Sequence, residues 1–435
     1  MTEKCPECGQ GYSWCEFCYP KHFQDEFNNW TSGNDKVDKF IQDAQLNAKH
    51  LRAIIEWIPY DRFKDVKLIG KGGFGTIHYA RWIDGFIDKW NEKKQQWNRV
   101  PEKGKVALKR FENIVNLDDV LNEVSIHLKT HSKIASIRFY GITQDPETHL
   151  YIMVLEFAEK GNLREYIKIN FNNINWKQKL YDLYILSLRL MRIHELDIIH
   201  RDFHPGNILL SELNDPMMIS DYGLSKLIEA NPHNPEQKNV VGVLPYIAPE
   251  VLNGDEEYTK AADVYSFGII AYEIVTGFPP YPDIPHDRIL AMKICNGLRP
   301  KIPFHTPKLV TRTIMRCWDA RVTHRPTFKE LVKELWKYYS DYRDYLEDEK
   351  NKDSEIVIQI KKTEEFLANQ ESTTTTTTTA TPLNYQTHPQ AIYTSRLLNY
   401  SSLPKPKNEE NFERKLEELT KSMSDLCPSD SDLFI

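Results

Sequence analysis

Two aspartates and an asparagine with the residue types needed for phosphoryl transfer lie close together in the sequence. Asp202 and Asn207 belong to the segment HRDFHPGN at 200–207, and Asp221 follows Asn207 by fourteen residues, at the start of Asp-Tyr-Gly. Transfer from Mg-ATP needs one carboxylate for the acceptor hydroxyl, then an amide and a second carboxylate that hold magnesium. The sequence supplies these three groups in that order.

A glycine-rich segment, GKGGFGTI at 70–77, precedes them and would let backbone N–H groups approach phosphate oxygens. Alone, the segment is equally typical of a hairpin turn. It does not fit a Walker A loop, because no Gly-Lys-Ser/Thr follows at the required spacing. A dinucleotide-binding fold would need a helix next, whereas the residues from Thr76 to Trp82 alternate as a strand does.

A short apolar strand ends in Lys109, and Glu123 lies fourteen residues later in a helical pattern of apolar residues. The two side chains could form an ion pair. A lone Lys–Glu pair is usually a surface salt bridge of little energetic value. The position of this pair between the glycine-rich segment and the segment 200–207 favours an internal role instead.

From about Phe63 to about Tyr339 the chain resembles a eukaryotic protein kinase. Besides the motifs above it carries APE at 248–250, DVYSFG at 263–268 and Arg325 before Pro326, in the order of that family. Segments 155–158, 161–163 and 263–266 are similar to the tyrosine-kinase-like group. The Cys-rich head and the tail motif YTSRLLN at 393–399 resemble kinases that are greatly multiplied in some fungi.

The resemblance implies ATP and Mg²⁺ as cofactors and a role for each matching residue. Asp202 would be the catalytic base, Lys109 would bind the α- and β-phosphates while Glu123 holds it, and Asn207 and Asp221 would ligate magnesium. Apolar side chains would sandwich the adenine ring, although the same residues would suit an ordinary core. The predicted nucleotide-binding residues are Gly70, Lys71, Gly72, Gly73, Phe74, Gly75, Ile77, Ala107, Lys109, Glu156, Ala158, Asn207, Leu209 and Asp221.

Two departures from the family pattern bear on activity. His204 replaces the lysine or arginine that meets the γ-phosphate in many members, and we include it among the catalytic candidates. Val243 stands where serine/threonine kinases usually have a threonine that bonds the catalytic aspartate. The resemblance as a whole implies a protein kinase acting on Ser or Thr. These two departures leave a nucleotide-binding scaffold as the alternative. A kinase of small molecules is disfavoured by APE at 248–250.

Four cysteines near the N-terminus form two C-x-x-C pairs, Cys5 with Cys8 and Cys15 with Cys18. Paired knuckles of this kind are typical of a structural zinc site, since four thiolates complete a tetrahedron. Two disulfides or a redox dithiol are the alternatives. His22 could replace one thiolate.

The predicted architecture is α+β and bilobal, with a small lobe built on an antiparallel sheet and a mainly helical large lobe. The parts are a Cys-rich module at 1–30, an amphipathic helix at 34–58, the kinase domain at 62–340 and a largely disordered tail at 349–435. The helix would pack on the small lobe or press on the Glu123 helix. A short amphipathic helix near 411–427 would dock on a partner or the kinase domain, or form only transiently.

Composition restricts the partners. The net charge of −6 offers no basic excess for nucleic acid or anionic membrane, and no apolar run reaches membrane-spanning length. We therefore expect protein substrates, no nucleic acid and no membrane, with the Cys-rich module or the tail helix free to dock partners. Clustered cysteines suit a reducing compartment, so we predict a cytoplasmic protein with the nucleus left open. The composition of the insertion at 83–103 predicts a surface loop. Alternatively, its Trp90 and Trp97 form a docking feature.

Overall fold

The computed structural model describes residues 5, 7–9, 14–72, 75–111, 117–132, 135–211, 217–222, 240–254, 258–373, 386–400 and 402–420. The chain divides into two compact units, Met1–Gly161 with Leu209–Leu227 and Asn162–Ile208 with Ile228–Ile435. The strands are β1 (Glu56–Trp57), β2 (Phe63–Gly72), β3 (Gly75–Trp82), β4 (Phe86–Asn91), β5 (Gln96–Val100), β6 (Lys105–Phe111), β7 (Phe139–Gln144), β8 (Tyr151–Glu156), β9 (Ile208–Leu209), β10 (Met218–Ile219), β11 (Val240–Gly242) and β12 (Arg396–Leu398). The α-helices are α1 (Cys18–Glu26), α2 (Asp35–Leu46), α3 (Leu117–Ser132), α4 (Leu163–Asn170), α5 (Trp176–His194), α6 (Pro249–Leu252), α7 (Lys260–Thr276), α8 (Arg288–Cys295), α9 (Lys308–Cys317), α10 (Phe328–Asp348), α11 (Glu355–Thr373) and α12 (Phe412–Glu418).

A six-stranded sheet forms the frame of the first unit, in the order β1–β7–β8–β6–β3–β2. Neighbouring strands are antiparallel except at one edge, where β1 runs parallel to β7. The edge departs from the antiparallel sheet predicted, because β1 is contributed by the N-terminal extension before the kinase-like segment. Helix α3 packs on the sheet through Val120 and Val124, which share a buried cluster with Met153 and Leu155 of β8.

The predicted helix over 34–58 is shorter in the structure. Asn34 caps α2, since its side-chain oxygen accepts hydrogen bonds from the N–H groups of Lys36 and Val37, and the helix ends at Leu46. Beyond it the chain turns back, and Gln45 Nε2 donates to the carbonyl oxygen of Ile55 at 2.8 Å. The apolar periodicity continues after Leu46 because those residues are also buried, but they are buried from a different backbone conformation.

The insertion at 83–103 is a β-hairpin of β4 and β5 in which Trp90 lies opposite Trp97. Both rings face the N-terminal module. The ring of Phe23 stacks on Trp97 at a centroid distance of 4.4 Å, and His22 stacks on Trp90 at 3.9 Å. The two tryptophans therefore bind the chain's own N-terminal module. This agrees with a docking feature and not with a loop that only faces solvent.

The second unit is mainly helical, in agreement with the predicted large lobe. Its central helix, α7, is buried over most of its length and is capped by Thr259, whose hydroxyl accepts from the N–H of Ala262. Helix α10 begins with a capping box between Thr327 and Glu330, and packs along α5. Within the described ranges, no helix combines the length and the apolar composition that a bilayer crossing requires.

The structure differs from the expected tail. Helix α10 continues past 340 to Asp348, and α11 extends the fold with Ile356, Val357 and Ile360 buried. Segments 386–400 and 402–420 follow the surface of the second unit, and Phe412 of α12 is buried. Burial of these apolar residues stabilises segments whose composition alone indicated a solvated chain. The threonine run from 374 and the predicted helix residues after 420 lie outside the described residues.

Candidate active site and cysteine cluster

Lys109 forms two short ion pairs in the first unit. Its Nζ lies 2.8 Å from Glu123 Oε1 and 2.6 Å from Asp221 Oδ1. The Lys109 and Glu123 side chains are 5% and 3% exposed, whereas that of Asp221 is 34% exposed. Strand β6 positions the lysine, helix α3 presents Glu123, and Asp221 follows β10. The structure therefore joins three predicted site residues that are separated by 14 and 112 positions along the chain.

Electrostatics keeps Lys109 charged. Burial alone would lower the pKa of Lys109, but the carboxylates of Asp221 and Glu123 outweigh burial and hold that pKa above its usual value. For Glu123, burial dominates over the opposing effect of Lys109 and raises its pKa to about 7. A cation fixed in a buried position is suited to bind phosphate oxygens.

The N-terminal helix α2 packs against the helix that carries Glu123. Val37 and Ile41 of α2 are fully buried in one cluster with Val120 and Val124 of α3. Val124 follows Glu123 directly and Val120 precedes it by three residues, so these contacts hold the part of α3 that carries Glu123. The prediction that the N-terminal helix packs on the small lobe agrees with this arrangement.

The glycine-rich segment is the β2–β3 hairpin, with Gly70 paired to Ile77 and Gly72 paired to Gly75. A Cβ at Gly75 would lie 2.0 Å from the carbonyl oxygen of Arg110, so only glycine allows this approach of β3 to β6. Lys71 lies exposed in β2. Gly73 and Phe74 of the predicted phosphate loop lie outside the described residues.

The predicted adenine-binding side chains lie near Lys109. Ile77 is directly opposite Lys109 in the β3–β6 pairing and Ala107 is two residues away, so the three residues share one face of the sheet. Ala107, Ala158 and Leu209 pack against the buried cluster that includes Leu155. Glu156 ends β8, where its N–H donates to the carbonyl oxygen of Arg138 and its carboxylate accepts from Ser211.

The remaining predicted catalytic residues lie together in the second unit. Asn207 Nδ2 donates to the backbone oxygen of Asp202 at 2.9 Å and approaches its Oδ2 at 3.4 Å. His204 Nε2 is 3.6 Å from Asp202 Oδ1. Asp263 of α7 accepts hydrogen bonds from the N–H groups of His200 and Arg201, at 2.9 and 3.2 Å. This buried carboxylate fixes the loop, in which Arg201 adopts a φ of +70°.

The carboxylate of Asp202 is held in its ionised form. Burial acts to raise the pKa of Asp202, but His204 and the hydroxyl of Ser395 outweigh burial, and the pKa lies below its usual value. An ionised carboxylate can accept a proton from an acceptor hydroxyl.

Residues 63–335, more than half of the chain, match the model of the family described as protein tyrosine and serine/threonine kinase. The chain belongs to the protein kinase family.

Several proteins named as kinases are similar to the chain over about 300 residues. Over 302 residues the chain is 28% identical to the probable serine/threonine-protein kinase pats1 of Dictyostelium discoideum, which covers 64% of this chain and 8% of that protein. Identity is 30% over 280 residues, 62% of this chain and 15% of the relative, for another Dictyostelium discoideum protein named a probable serine/threonine-protein kinase. It is 26% over 304 residues, 68% of this chain and 54% of the relative, for the tyrosine-protein kinase SPK-1 of Girardia tigrina. The chain therefore spans less than a sixth of the first two relatives and about half of the third.

The kinase motif at 248–250 is held by a buried ion pair. Arg325 Nη1 and Nη2 donate to the two carboxylate oxygens of Glu250 at 2.6 and 2.7 Å, and both side chains are almost fully buried. Arg325, the motif residue before Pro326, thus binds the glutamate of the APE motif. The bidentate geometry rigidly anchors the segment that follows β11.

One residue in contact with the catalytic loop was missed from the sequence. Ser395 donates a hydrogen bond to Asp202 Oδ2 at 2.6 Å. The motif YTSRLLN served only as a family feature, and nothing in its composition indicates a position beside a residue 193 places earlier.

The four N-terminal cysteines of this kinase converge. Their sulfur atoms all lie within 4.8 Å of one another, with Cys8 Sγ 3.5 Å from Cys15 Sγ. Zn–S bonds of about 2.3 Å in a tetrahedron would separate the sulfurs by about 3.8 Å, so the cluster fits a zinc ion. His22 does not belong to this group, since its Nε2 contacts Glu7 Oε1 at 2.7 Å and its ring stacks on Trp90.

Proposed function

We propose that this chain transfers the γ-phosphoryl group of ATP to serine or threonine hydroxyls of proteins. The observation that carries the proposal is the buried Lys109, bonded at once to Glu123 and Asp221. Burial of Lys109 and Glu123 costs free energy because both charges lose their hydration, and buried charges of this kind are typical of functional sites. Binding of a polyphosphate would use that cation.

The proposed roles follow from the chemistry of each side chain. Lys109 binds phosphate oxygens and Asp202 accepts the proton of the acceptor hydroxyl. Asn207 and Asp221 offer the hard oxygen ligands that Mg²⁺ prefers, and the ion neutralises phosphate charge when it is bound. His204 lies beside Asp202 and keeps that carboxylate ionised.

Serine/threonine specificity is supported by relatives named serine/threonine-protein kinases. Val243 lacks the hydroxyl that usually bonds the catalytic aspartate in such kinases, so the names of the relatives carry this part of the proposal. Membership of the tyrosine-kinase-like group stays a prediction from segments 155–158, 161–163 and 263–266. Membership of a fungal expansion stays a prediction from the Cys-rich head and the tail motif at 393–399. A cytoplasmic or nuclear location and partner docking through the N-terminal module also stay predictions.

A transfer assay with labelled ATP distinguishes a protein kinase from a nucleotide-binding scaffold. The full chain, freed of phosphate, would be incubated with Mg²⁺, labelled ATP and a generic protein substrate, beside an Asp202→Ala variant. We expect phosphoserine or phosphothreonine with the unmodified chain and none with the variant. A chain whose melting temperature rises with Mg-ATP but which transfers no label would be a nucleotide-binding scaffold, and phosphotyrosine alone would refute the specificity.

We also propose that Cys5, Cys8, Cys15 and Cys18 bind a structural zinc ion. Metal analysis of the purified chain should then find about one zinc per molecule, and Cys15→Ser should remove it, because three thiolates bind zinc far more weakly than four. Chelation should lower the melting temperature, since this module packs on Trp97 through Phe23. Cys295→Ala, at a buried cysteine of the second unit, should retain the zinc. Disulfides in place of zinc would contradict the proposal.

A further inference from the structure

The Ser395 hydroxyl lies where an acceptor hydroxyl would be activated. It donates to Asp202 Oδ2 at 2.6 Å and lies 2.9 Å from His204 Nε2. His204 Nδ1 accepts from the N–H of Gly206 at 3.1 Å, so its ring proton is on Nε2 and is donated to Ser395 Oγ. The hydroxyl therefore has its own proton directed at the base, and its oxygen is contacted by His204 Nε2.

The chain around Ser395 is bound as an added strand. Arg396, Leu397 and Leu398 of β12 pair antiparallel with Gly242, Val241 and Val240 of β11. Addition of a strand to an exposed edge is a common way of binding an extended peptide, with main-chain hydrogen bonds for affinity and alternate side chains for specificity. Leu398 is 3% exposed and Leu397 is 53% exposed, so alternate side chains are buried here as well.

Residues before Ser395 are bound just as firmly. Arg164 donates to the backbone oxygen of Tyr393 at 3.1 Å and lies over its ring at 4.5 Å, while the Tyr393 hydroxyl donates to the carbonyl oxygen of Pro280 at 2.8 Å. His286 Nδ1 contacts the carbonyl oxygen of Ile392 at 2.9 Å. Contacts therefore hold the chain on both sides of Ser395.

We propose that Ser395 is an intramolecular phosphoacceptor of this kinase and that residues 392–398 occupy its peptide-substrate site. The inference rests on the proposed function. In the transfer, Ser395 Oγ forms a bond to the γ-phosphorus of ATP, the bond from that phosphorus to the β,γ-bridging oxygen breaks, and ADP leaves. The proton of the hydroxyl passes to Asp202.

Phosphorylation of Ser395 would favour release of residues 392–398 from the peptide-substrate site. Phosphoserine carries a charge of about −1.5 to −2 at neutral pH, and it would lie against the carboxylate of Asp202. Repulsion between these anions favours release of residues 392–398. The segment therefore competes with protein substrates for Asp202 until its own phosphorylation removes it.

A purely structural role for Ser395 makes a different prediction. The Ser395 hydroxyl could take the place of the threonine hydroxyl that is missing at Val243, and its role would then be only to orient Asp202. In that case Ser395 would never carry phosphate, and its loss would lower transfer to every substrate.

Site-resolved mass spectrometry distinguishes the two roles. The full chain, freed of phosphate, would be mixed with Mg-ATP at several enzyme concentrations, and phosphate at residue 395 followed beside transfer to a generic protein substrate. We expect Ser395 to be modified with a first-order rate constant that does not depend on enzyme concentration. Ser395→Ala should abolish this phosphate yet still transfer to the generic substrate, and Thr394→Ala, at the exposed neighbouring hydroxyl, should leave phosphate at 395 unchanged.

Each other outcome is decisive. Transfer to the generic substrate without phosphate at 395, or a rate at 395 proportional to enzyme concentration, would overturn this site and leave the proposed function standing. No transfer to either acceptor would overturn the proposed function as well.

A matched pair of variants tests the occupancy of the site, each made in a Ser395→Ala chain so that phosphorylation cannot release the segment. Leu398→Asp places a charge at a buried position and should release the segment, which we expect to raise kcat/KM for a peptide substrate by about tenfold, because a site occupied nine-tenths of the time loses that factor in apparent affinity. Leu397→Asp, at the exposed neighbour, should leave kcat/KM unchanged. Equal values for both variants and for the Ser395→Ala chain alone would contradict occupancy of the substrate site by this segment.

Discussion

Replacement of Asp202 by asparagine should lower the rate constant for phosphoryl transfer by about 100- to 10,000-fold, the range that general-base catalysis contributes. An amide has nearly the same shape as the carboxylate and can still accept the hydrogen bond of a hydroxyl, but it cannot take the proton. We expect the effect in kcat, measured with Mg-ATP and a protein substrate, with the nucleotide affinity little changed. A loss confined to nucleotide affinity would remove Asp202 from the role of base.

Asp197 provides the control for this substitution. It lies in the same unit, its side chain is 91% exposed, and its φ of +55° is one that asparagine adopts readily. Asp197→Asn loses only a surface ion pair with Lys260, so kcat should stay within about twofold of the unmodified value. A comparable loss from both variants would point to a general effect of charge.

Replacement of Lys109 by methionine should abolish transfer and also destabilise the fold. The substitution leaves the Glu123 carboxylate in the interior without its cation, and breaking a buried ion pair in this way costs about 3–5 kcal/mol. We expect the lower end of that range for the free energy of unfolding in urea, because Asp221 is partly exposed and regains water. The rise in melting temperature with Mg-ATP should disappear too.

Three controls separate the contributions to the Lys109→Met result. Lys36→Met breaks an ion pair with Asp118 in which both side chains are 67% exposed, and should change stability by less than about 1 kcal/mol. Lys109→Met with Glu123→Gln should recover part of the stability but no transfer. A stability loss equal to that of Lys36→Met would show that burial of Glu123 is of no energetic consequence.

The Lys109→Met variant should also show a characteristic pH dependence. Burial raises the pKa of Glu123 in the folded chain, and removal of Lys109 removes the group that opposes this rise. A carboxyl whose folded pKa exceeds its unfolded pKa contributes stability below the unfolded pKa and loses it as pH rises through the folded pKa. The stability deficit of Lys109→Met relative to the unmodified chain should therefore be smaller at pH 5 than at pH 8.

The kinase motifs could be predicted from the chain alone because their chemistry restricts both residue type and spacing. A loop that approaches phosphates needs glycines, and magnesium is bound by carboxylate and amide oxygens. The aspartate and the asparagine of the segment 200–207 must also lie close to each other. Asn207 does bond Asp202, over five residues. The two-part α+β fold follows from the same motifs, through the family they define.

Packing decided the features that periodicity left open. Apolar residues recur beyond Leu46, and a helical period cannot tell that Ile55 belongs to a different backbone element from Ile41, although both are buried. Likewise, Trp90 and Trp97 read as exposed until the N-terminal module covers them.

Local patterns in this chain determined which residues could handle phosphate, since each motif is short and carries its own chemical requirement. Only the folded chain decided that Lys109 meets Asp221 across 112 residues and that Ser395 reaches Asp202 across 193. Contacts at that separation depend on the burial of many side chains at once, and no short segment contains that information.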